Sequence, residues 1–265
     1  MKKERVDVLC VEQGLFDSRE KAKRAIMAGI VHNDHERLDK PGMKIPRDTV
    51  LSIKGEKLKY VSRGGLKLEK ALATFPINLQ DQIMIDIGSS TGGFTDCALQ
   101  NGVKFVYAVD VGTNQLVWKL RNDERVKAME QYNFRYAKKE DFDQGEITFA
   151  SIDVSFISLS HIFHALKDII APQGQVAALI KPQFEAGREE VGKHGIVKDP
   201  KVHEEVISKV MTYANDNGFS MQGLTYSPIT GGEGNIEFLG YFVKSDEPNA
   251  NIHIQDVVEE AHRHF

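Results

Sequence analysis

Cysteine and long apolar runs are what this chain of 265 residues has least of. Its two cysteines, Cys10 and Cys97, lie far apart, which excludes a disulfide framework and a cysteine-rich metal site and favours a reducing cytosol. The longest aliphatic run, residues 176–180, is far too short to span a membrane. The N-terminus begins with charged residues and shows no apolar signal segment. We therefore expect a cytoplasmic protein without a membrane partner.

An overall excess of positive charge is also lacking, because the net charge is −4, and this balance by itself argues against nucleic acid. The distribution is uneven. The first 60 residues hold 14 Lys and Arg against 10 Asp and Glu, whereas the rest of the chain holds 20 against 28. A basic N-terminal piece on an acidic body predicts that the first segment meets an anionic partner, although a solvated charged face would have the same composition.

The most informative motif is a glycine-rich turn behind a short apolar run at residues 83–87. Asp86 lies inside that run, and Gly88, Gly92 and Gly93 follow it before a second apolar segment. This order predicts a strand, a tight turn and the start of a helix. No Gly-Lys-Ser/Thr follows, which argues against a P-loop. The Asp-x-Gly-x-x-x-Gly-Gly pattern resembles motif I of S-adenosylmethionine (SAM)-dependent methyltransferases; an ordinary strand-turn-helix corner is the alternative.

The first sixty residues read as a separate small unit with two short helices and a few strands. Arg19 and Lys23 lie four residues apart on the second helix and share a face, with Arg24 beside them. The segment resembles the S4 RNA-binding domain. The matching residues are Arg5, Asp7, Gly14, Leu15, Ser18, Arg19, Ala22, Ile26, Gly29 and Val31. The resemblance implies that Arg19, Lys23 and Arg24 contact RNA phosphates; cations that only solvate a helix are the alternative.

From residue 81 onward, predicted strands and helices alternate, which indicates a mostly parallel sheet with helices on both faces. In such sheets the ligand lies at the carboxyl ends of the strands. Polar residues stand at four of those ends: Asp86 with the glycine turn, then Asp110, Asp153 and Lys181. A single aspartate there is more often a helix cap or a turn residue, but four such positions predict one shared crevice.

The whole chain resembles the TlyA family, whose members are called hemolysins or ribosomal RNA 2′-O-methyltransferases. The motifs that carry the resemblance are residues 61–68, 86–95, 108–112, 115–116, 153–159, 181–185 and 234–237. The implied architecture is an α/β, Rossmann-like SAM methyltransferase domain, similar to FtsJ/RrmJ, preceded by a small α+β S4 domain. The expected limits are residues 1–58 for the S4 domain, 59–65 for a linker and 66–265 for the catalytic domain.

The resemblance also assigns site residues. The Lys-Asp-Lys-Glu tetrad of RNA 2′-O-methyltransferases would fall on Lys67, Asp153, Lys181 and Glu237. Arg63 of the linker would join the RNA-binding cations. The residues expected to bind SAM are Asp86, Gly88, Ser89, Gly92, Gly93, Phe94, Asp110, Glu130 and Asp153. The implied partner is ribosomal RNA or a ribosomal subunit, with cytidine as the modified nucleotide.

The tetrad also makes chemical sense on its own. A ribose 2′-hydroxyl has to lose its proton as its oxygen attacks the methyl group, and a lysine can take that proton only as a neutral amine. We expect Lys181 to be this base, with the charge of Lys67 assisting it and steering the ribose. Asp153 would orient the lysine amine near the methyl donor, and Glu237 would hold Lys67 or the hydroxyl. No metal is required, and the histidines form no ligand cluster.

Three other functions compete with this interpretation. One is an RNA-binding or ribosome-assembly factor that keeps the fold without turnover, and the intact tetrad argues against it. Another is a membrane-lysing hemolysin, which no lytic helix or spanning segment supports. The third is a pseudouridine synthase, suggested by Arg37-Leu38-Asp39, but these residues lie inside the small N-terminal unit, away from any catalytic fold.

Overall fold

The computed structural model describes residues 3–33, 36–53 and 59–265, apart from the side chain of Lys193. The chain divides into two compact units, Met1–Lys59 and Tyr60–Phe265. Because residues 54–58 lie outside the described part, the domain boundary expected at residue 58 stays a prediction.

Among its described residues, the first unit contains two helices and five short strands. In chain order they are β1 (Lys3–Arg5), α1 (Val6–Glu12), α2 (Arg19–Met27), β2 (Val31–His32), β3 (Arg37–Leu38), β4 (Lys44–Pro46) and β5 (Ser52–Ile53). Strand β1 pairs with β4, and β2 lies between β3 and β5, in every case antiparallel. Ser18 caps α2, and Ala22 and Ile26 on its apolar face pack with Leu9 of α1. This unit is the predicted small α+β domain.

The second unit contains seven helices, seven strands and four short 3₁₀ turns among the described residues. Its helices are α3 (Gly65–Thr74), α4 (Gly93–Gln100), α5 (Trp118–Arg121), α6 (Leu159–Leu166), α7 (Pro182–Glu185), α8 (Pro200–Asp216) and α9 (Ile254–His264). Its strands are β6 (Ile83–Ile87), β7 (Phe105–Val109), β8 (Val126–Met129), β9 (Ile147–Ile152), β10 (Ile170–Ile180), β11 (Phe219–Tyr226) and β12 (Phe238–Lys244). The 3₁₀ turns are Phe134–Tyr136, Lys139–Asp141, Lys193–Gly195 and Gly232–Gly234.

The seven strands form one sheet in the order β11-β12-β10-β9-β6-β7-β8. Neighbours from β8 to β10 pair in parallel, whereas β12 runs antiparallel to both β10 and β11. The expectation of a mostly parallel sheet is therefore confirmed, with β12 as its one reversed strand. The strand order changes direction between β6 and β9, and a crevice opens at such a switch point at the carboxyl ends of the strands.

Two hydrophobic layers cover the two faces of this sheet. Ile85 and Ile87 of β6 face the layer formed with α6, α8 and α9, whereas Met84 faces the layer formed with α3 and α4. This alternation follows from the two-residue period of a strand, and helices on both faces are thereby confirmed. Asp86 shares the face of Met84 and points toward α4, where it accepts a hydrogen bond from Thr95.

Residues 60–65 fall within the second unit, although the limits expected for the linker stay a prediction. Tyr60 is buried, and the backbone N–H of Val61 donates to Asp96 Oδ2 at 2.9 Å. A Cβ at Gly93 would lie 2.8 Å from the backbone nitrogen of Gly65, so the starts of α3 and α4 approach more closely than a side chain would allow. The close approach holds α3, and with it Lys67, near the glycine turn.

Within the described residues, none of the helices is both long and apolar enough to cross a membrane.

Candidate active site

Five polar residues reach the same edge of the sheet from different elements. Asp110, Asp153 and Lys181 directly follow β7, β9 and β10. Glu237 directly precedes β12, and because that strand is reversed, its beginning lies beside the end of β10, where Phe238 pairs with Ile180. Lys67 comes from the first turn of α3. The topology therefore gathers residues that are up to 170 positions apart in sequence.

The predicted tetrad forms one continuous line of alternating charges. Lys67 Nζ lies 2.7 Å from Glu237 Oε2 and 3.7 Å from Asp153 Oδ2, and Lys181 Nζ lies 2.5 Å from Asp153 Oδ1. Lys67, Lys181 and Glu237 are all buried. Buried charges are tolerated when each has a close opposite partner, and this arrangement meets that condition. The charge of Lys67, the other lysine of the tetrad, is therefore balanced by two carboxylates, those of Glu237 and Asp153.

A cavity of about 350 Å³, called here the first cavity, lies beside Asp153. Its polar lining includes Gly88, Ser90 and Asp110. Asp110 is held in place because its two oxygens accept hydrogen bonds from the backbone N–H groups of Ser90 at 2.7 Å and Gly112 at 2.8 Å. The apolar lining includes Val109, Val111, Phe134, Val154, Ile157 and Ile162.

A second cavity of about 340 Å³ adjoins the tetrad at Lys181 and Glu237. Lys181 and Glu237 line it, together with Gln183, which donates from Nε2 to Glu237 Oε1 at 3.2 Å. Ser155 and Phe156 line both cavities and so mark their junction. A site with room for two ligands, and with charged groups between them, is suited to group transfer from one to the other.

Asn235 connects the two loops that wall the second cavity. Its side chain accepts from the N–H of Val197 at 3.1 Å and donates to the carbonyls of Gly195 at 2.9 Å and Gly232 at 3.1 Å. Asn235 is only 3% exposed, so these bonds are shielded from water. The loops around residues 195 and 232 are thereby tied together.

The glycine turn contributes only part of its residues to the lining of the first cavity. Gly88 has a φ of +85°, and a Cβ there would lie 2.3 Å from the backbone oxygen of Asp153, so only glycine fits. Asp86 does not line the cavity: it is fully buried and accepts from Thr95 Oγ1 at 2.7 Å and Ser151 Oγ at 2.9 Å. Burial raises the pKa of Asp86 to about 6. Its hydrogen bonds join β6 to α4 and β9, and its contact with a cofactor stays a prediction.

The other predicted cofactor residues fall into two groups. Ser89, Gly92, Gly93 and Phe94 are buried in the turn and at the start of α4 and are not among the residues that line the first cavity. Glu130 lies just beyond β8 and pairs with Arg121. The hydrogen bond from Arg121 lowers the pKa of Glu130, and amide hydrogen bonds from Asn114 and Gln115 add to this. Their contact with a cofactor stays a prediction.

The predicted RNA-binding cations differ in how they are paired. Arg19 binds the buried carboxylate of Asp7 at 3.0 Å, and Lys23 binds Glu20 at 2.8 Å. Arg24 and Arg63 are exposed. Arg19 therefore has a structural contact in addition to any RNA contact, whereas the side chain of Arg24 is oriented toward solvent.

The histidines that the structure describes form no metal centre. In the part of the chain that the structure describes, no group of three or more His, Cys, Asp or Glu side chains could hold a metal ion. His203 is fully buried, and its ring contacts the carbonyl of Val197 at 3.1 Å and the ring of His262 at 3.0 Å. Burial lowers the pKa of His203 to about 4. This pair joins α8 to α9 and lies outside both cavities.

Sequence reasoning missed the residues at the junction of the cavities. Ser155 and Phe156 stand inside the motif at residues 153–159, but the pattern assigned them no role. Phe156 is 91% exposed, has a φ of +62° and contacts the ring of Phe184 with a centroid distance of 4.9 Å. An exposed aromatic residue in left-handed backbone is unusual, and such strain concentrates at functional sites. Its exposure could not be read from the sequence.

Comparisons with known proteins agree with this geometry. The model of the FtsJ-like methyltransferase family matches residues 60–244, and the model of the S4 domain matches residues 4–51. YqxC of Bacillus subtilis (strain 168), whose name describes a candidate rRNA methyltransferase, is 60% identical over 99% of this chain and 95% of its own length. The 16S/23S rRNA (cytidine-2′-O)-methyltransferase TlyA of Mycobacterium tuberculosis (strain ATCC 25618 / H37Rv) is 36% identical over 97% of this chain and 96% of its own.

Solved structures show the same relationship. A protein from Streptococcus thermophilus described as a candidate hemolysin is 61% identical, with a TM-score of 0.80, over 100% of this chain and 98% of its own. A protein from Listeria monocytogenes described as a candidate SAM-dependent methyltransferase shares the fold, with 14% identity and a TM-score of 0.52 over 70% of this chain and 100% of its own. The chain therefore belongs to the FtsJ-like methyltransferase family and, through its added S4 domain, to the TlyA group.

Proposed function

We propose that this enzyme transfers a methyl group from SAM to a ribose 2′-hydroxyl of ribosomal RNA. The observation that carries the proposal is the continuous line of side chains Glu237, Lys67, Asp153 and Lys181, of which Asp153 lines the first cavity and Lys181 and Glu237 line the second. The name of the Mycobacterium tuberculosis relative specifies cytidine and ribosomal RNA, and we extend both to this chain.

The first cavity fits the methyl donor. Its apolar walls suit an adenine ring, and the carboxylate of Asp110, at the end of the second strand of the motif, is suited to accept from ribose hydroxyls. Gly88 lets the backbone that follows β9 approach closely, and this places Asp153 in the wall of the same cavity. SAM would supply a methyl group that is already activated on sulfur, so the protein mainly has to position the two partners.

The second cavity suits the acceptor nucleotide. Lys181 and Glu237 provide polar contacts for a ribose, and the exposed ring of Phe156 at the junction offers a face on which a base can stack. A nucleotide that enters this cavity would bring its 2′-hydroxyl toward Lys181 and toward the first cavity at once. The loops joined by Asn235 would form the outer wall.

The proposed chemistry uses each member of the tetrad. A neutral Lys181 amine accepts the proton of the 2′-hydroxyl while that oxygen forms a bond to the methyl carbon and the sulfur–methyl bond breaks. Asp153 holds the Lys181 amine. Lys67 attracts the ribose oxygen, and Glu237 fixes Lys67 through the contact of 2.7 Å. General base catalysis of this kind typically contributes about 10²–10⁴-fold in rate.

The N-terminal unit would hold the RNA. Arg19, Lys23 and Arg24 lie on α2, and long cations of this kind contact phosphates and set the position of the RNA without reading its sequence. Arg63, which precedes α3, would add a contact near the catalytic unit. In this proposal residues 1–58 bind RNA, residues 66–265 catalyse the transfer, and the enzyme works on ribosomal subunits in the cytoplasm.

The test is transfer of labelled methyl from SAM to ribosomal subunits purified from a strain that lacks the gene. We expect incorporation that maps to a ribose 2′-oxygen, and a loss of at least about 10²-fold in Lys181→Ala with SAM binding retained. Lys209→Ala is the matched control, because Lys209 is an exposed lysine of α8 whose amine contacts the carbonyl of Glu185. This control should keep the wild-type rate.

The alternative functions predict other results. A non-catalytic assembly factor would bind ribosomal subunits but incorporate no label. A hemolysin would release the contents of erythrocytes or lipid vesicles, and it would do so equally with Lys181→Ala. Incorporation that survives Lys181→Ala would keep the enzyme but remove Lys181 as the base.

A further inference from the structure

The amine of Lys181 has a second contact besides Asp153. Its Nζ lies 2.5 Å from Asp153 Oδ1 and donates to Ser155 Oγ at 3.2 Å. Ser155 stands two residues after Asp153 and lines both cavities. The two acceptors therefore lie on the same short segment that follows β9.

We propose that Ser155 is a positioning residue that aims the Lys181 amine at the acceptor hydroxyl. The proposal rests on the proposed function, because it concerns how Lys181 acts as the base. A neutral amine carries two N–H groups and one lone pair in a tetrahedral arrangement. Asp153 alone binds one N–H and leaves the other N–H and the lone pair free to exchange places. With Ser155 accepting the second N–H, the lone pair takes the one direction that remains.

The position of Lys181 in the lining of the second cavity determines what its lone pair can face. Lys181 lines the second cavity together with Ser155, Phe184 and Glu237. Lys67, the other lysine of the tetrad, contacts Glu237 and Asp153 and is not among the residues that line this cavity. The titratable groups around the Lys181 amine are Asp153, which it contacts, Lys67, which contacts the same carboxylate, and the residues that line the same cavity, Glu237, Glu233 and His194. Of the two side chains whose oxygens contact the amine, Asp153 is the charged acceptor and Ser155 is the neutral one.

The backbone is constrained on both sides of Ser155. Phe156, the next residue, is 91% exposed at a φ of +62°, and neither feature helps folding. On the other side, the carbonyl of Asp153 lies so close to Gly88 that a Cβ there would be 2.3 Å away. The segment is therefore packed tightly at Asp153 and strained at Phe156. This is expected of a segment that positions side chains for a ligand.

The experiment compares wild type, Ser155→Ala and Ser155→Thr in methyl transfer to ribosomal subunits, with kcat and the KM for SAM measured across pH. We expect Ser155→Ala to lower kcat about tenfold, the factor that corresponds to an ordinary hydrogen bond. The loss should persist on the alkaline plateau, because a misdirected neutral amine is not corrected by removing more protons. Ser155→Thr retains the hydroxyl and should recover most of the rate, and the KM for SAM should stay unchanged.

Ser208→Ala, on the exposed side of α8, is the matched control and should behave as wild type. The proposal is overturned if Ser155→Ala keeps wild-type kcat, if its rate recovers fully at high pH, or if the defect appears only in the KM for SAM. Thermal unfolding of each variant separates these outcomes from misfolding, and Ser155→Thr remains informative if Ser155→Ala does not fold. No transfer by wild type would instead overturn the proposed function itself.

Discussion

Asp86 and His203 are two buried titratable residues whose burial acts on stability in opposite directions. Burial raises the pKa of Asp86 from 3.8 to about 6 and lowers the pKa of His203 from 6.5 to about 4. Between about pH 4 and 6 the folded protein holds the Asp86 proton more tightly than the unfolded chain does, so this residue favours folding at low pH and loses that contribution as pH rises. His203 binds its proton less tightly when folded, so its contribution is present above about pH 6.5 and is lost as pH falls.

We predict that these two effects nearly cancel in the wild type and separate in single variants. Each corresponds to about 3 kcal/mol, because one pKa unit is about 1.4 kcal/mol. Asp86→Asn should make the free energy of unfolding rise more steeply from pH 4 to 6.5, and His203→Gln should make it fall from pH 4 to 6. Urea unfolding at several pH values measures both slopes. Slopes equal to the wild type in both variants would contradict the assignment.

The turn from β6 into α4 carries the tightest backbone contact near the site. Gly88 combines a φ of +85° with a Cβ position only 2.3 Å from the carbonyl oxygen of Asp153. Gly218, which follows α8, has a similar φ of +77°, but nothing lies within 4 Å of its Cβ position. Alanine substitutions at these two glycines therefore separate the strain of left-handed backbone from the effect of crowding.

We predict that Gly218→Ala lowers the free energy of unfolding by about 1–2 kcal/mol, the strain of left-handed backbone alone. Gly88→Ala should lose about 1–3 kcal/mol more, because its methyl group overlaps the segment that carries Asp153. Methyl transfer should fall in Gly88→Ala and not in Gly218→Ala. Unfolding curves and transfer rates for both variants check this, and equal losses of stability would argue against a crowded turn.

The elements that sequence predicted best are those with strong local patterns. The strand at residues 83–87 and the helix after the glycine turn form where the apolar run and the glycines predicted, although α4 begins one residue earlier, at Gly93. The aliphatic run at residues 176–180 lies in β10, which begins earlier, at Ile170, because Ile170 pairs with β9 ahead of an irregularity in the register and Gln175 pairs with both β9 and β12. Pairing with neighbours decided these ends.

At the scale of the whole molecule, charge divides the chain. The first 60 residues carry an excess of positive charge and the rest an excess of negative charge. If the N-terminal unit binds RNA, the affinity should depend steeply on salt, because each neutralised phosphate releases counterions. Arg19 and Arg24 differ in their expected behaviour, because only Arg19 is bound to a buried carboxylate, Asp7.

We predict that Arg24→Ala weakens binding to ribosomal subunits and reduces the slope of log affinity against log salt by about 1, without loss of stability. Arg19→Ala should in addition lower the free energy of unfolding. The hydrogen bond from Arg5 keeps the pKa of Asp7 at about 2, aided by Arg19, so one of two partners would be lost. Arg125→Ala, an exposed arginine paired with Asp123 in the second unit, is the control. An unchanged salt slope in Arg24→Ala would remove this residue from the RNA contact.

The amino-acid sequence by itself determined which residues could form the site. Lys67, Asp153, Lys181 and Glu237 stood out through the resemblance to a family, and Asp153 and Lys181 also through their places at predicted strand ends. Strand ends can be found this way because apolar runs and the turns after them are local patterns, visible within a few residues.

Only the tertiary structure decided how those residues meet. Glu237 contacts Lys67 because β12 enters the sheet reversed beside β10, and no local pattern encodes the order of strands. Asp86 contacts Thr95 of α4, because the alternation of β6 directs its side chain to the face of the sheet that α4 covers. Ser155 and Phe156 gained their places at the junction because two cavities open on either side of one short segment. Contacts between distant residues depend on how the whole sheet is assembled, and that assembly is what brings the site together.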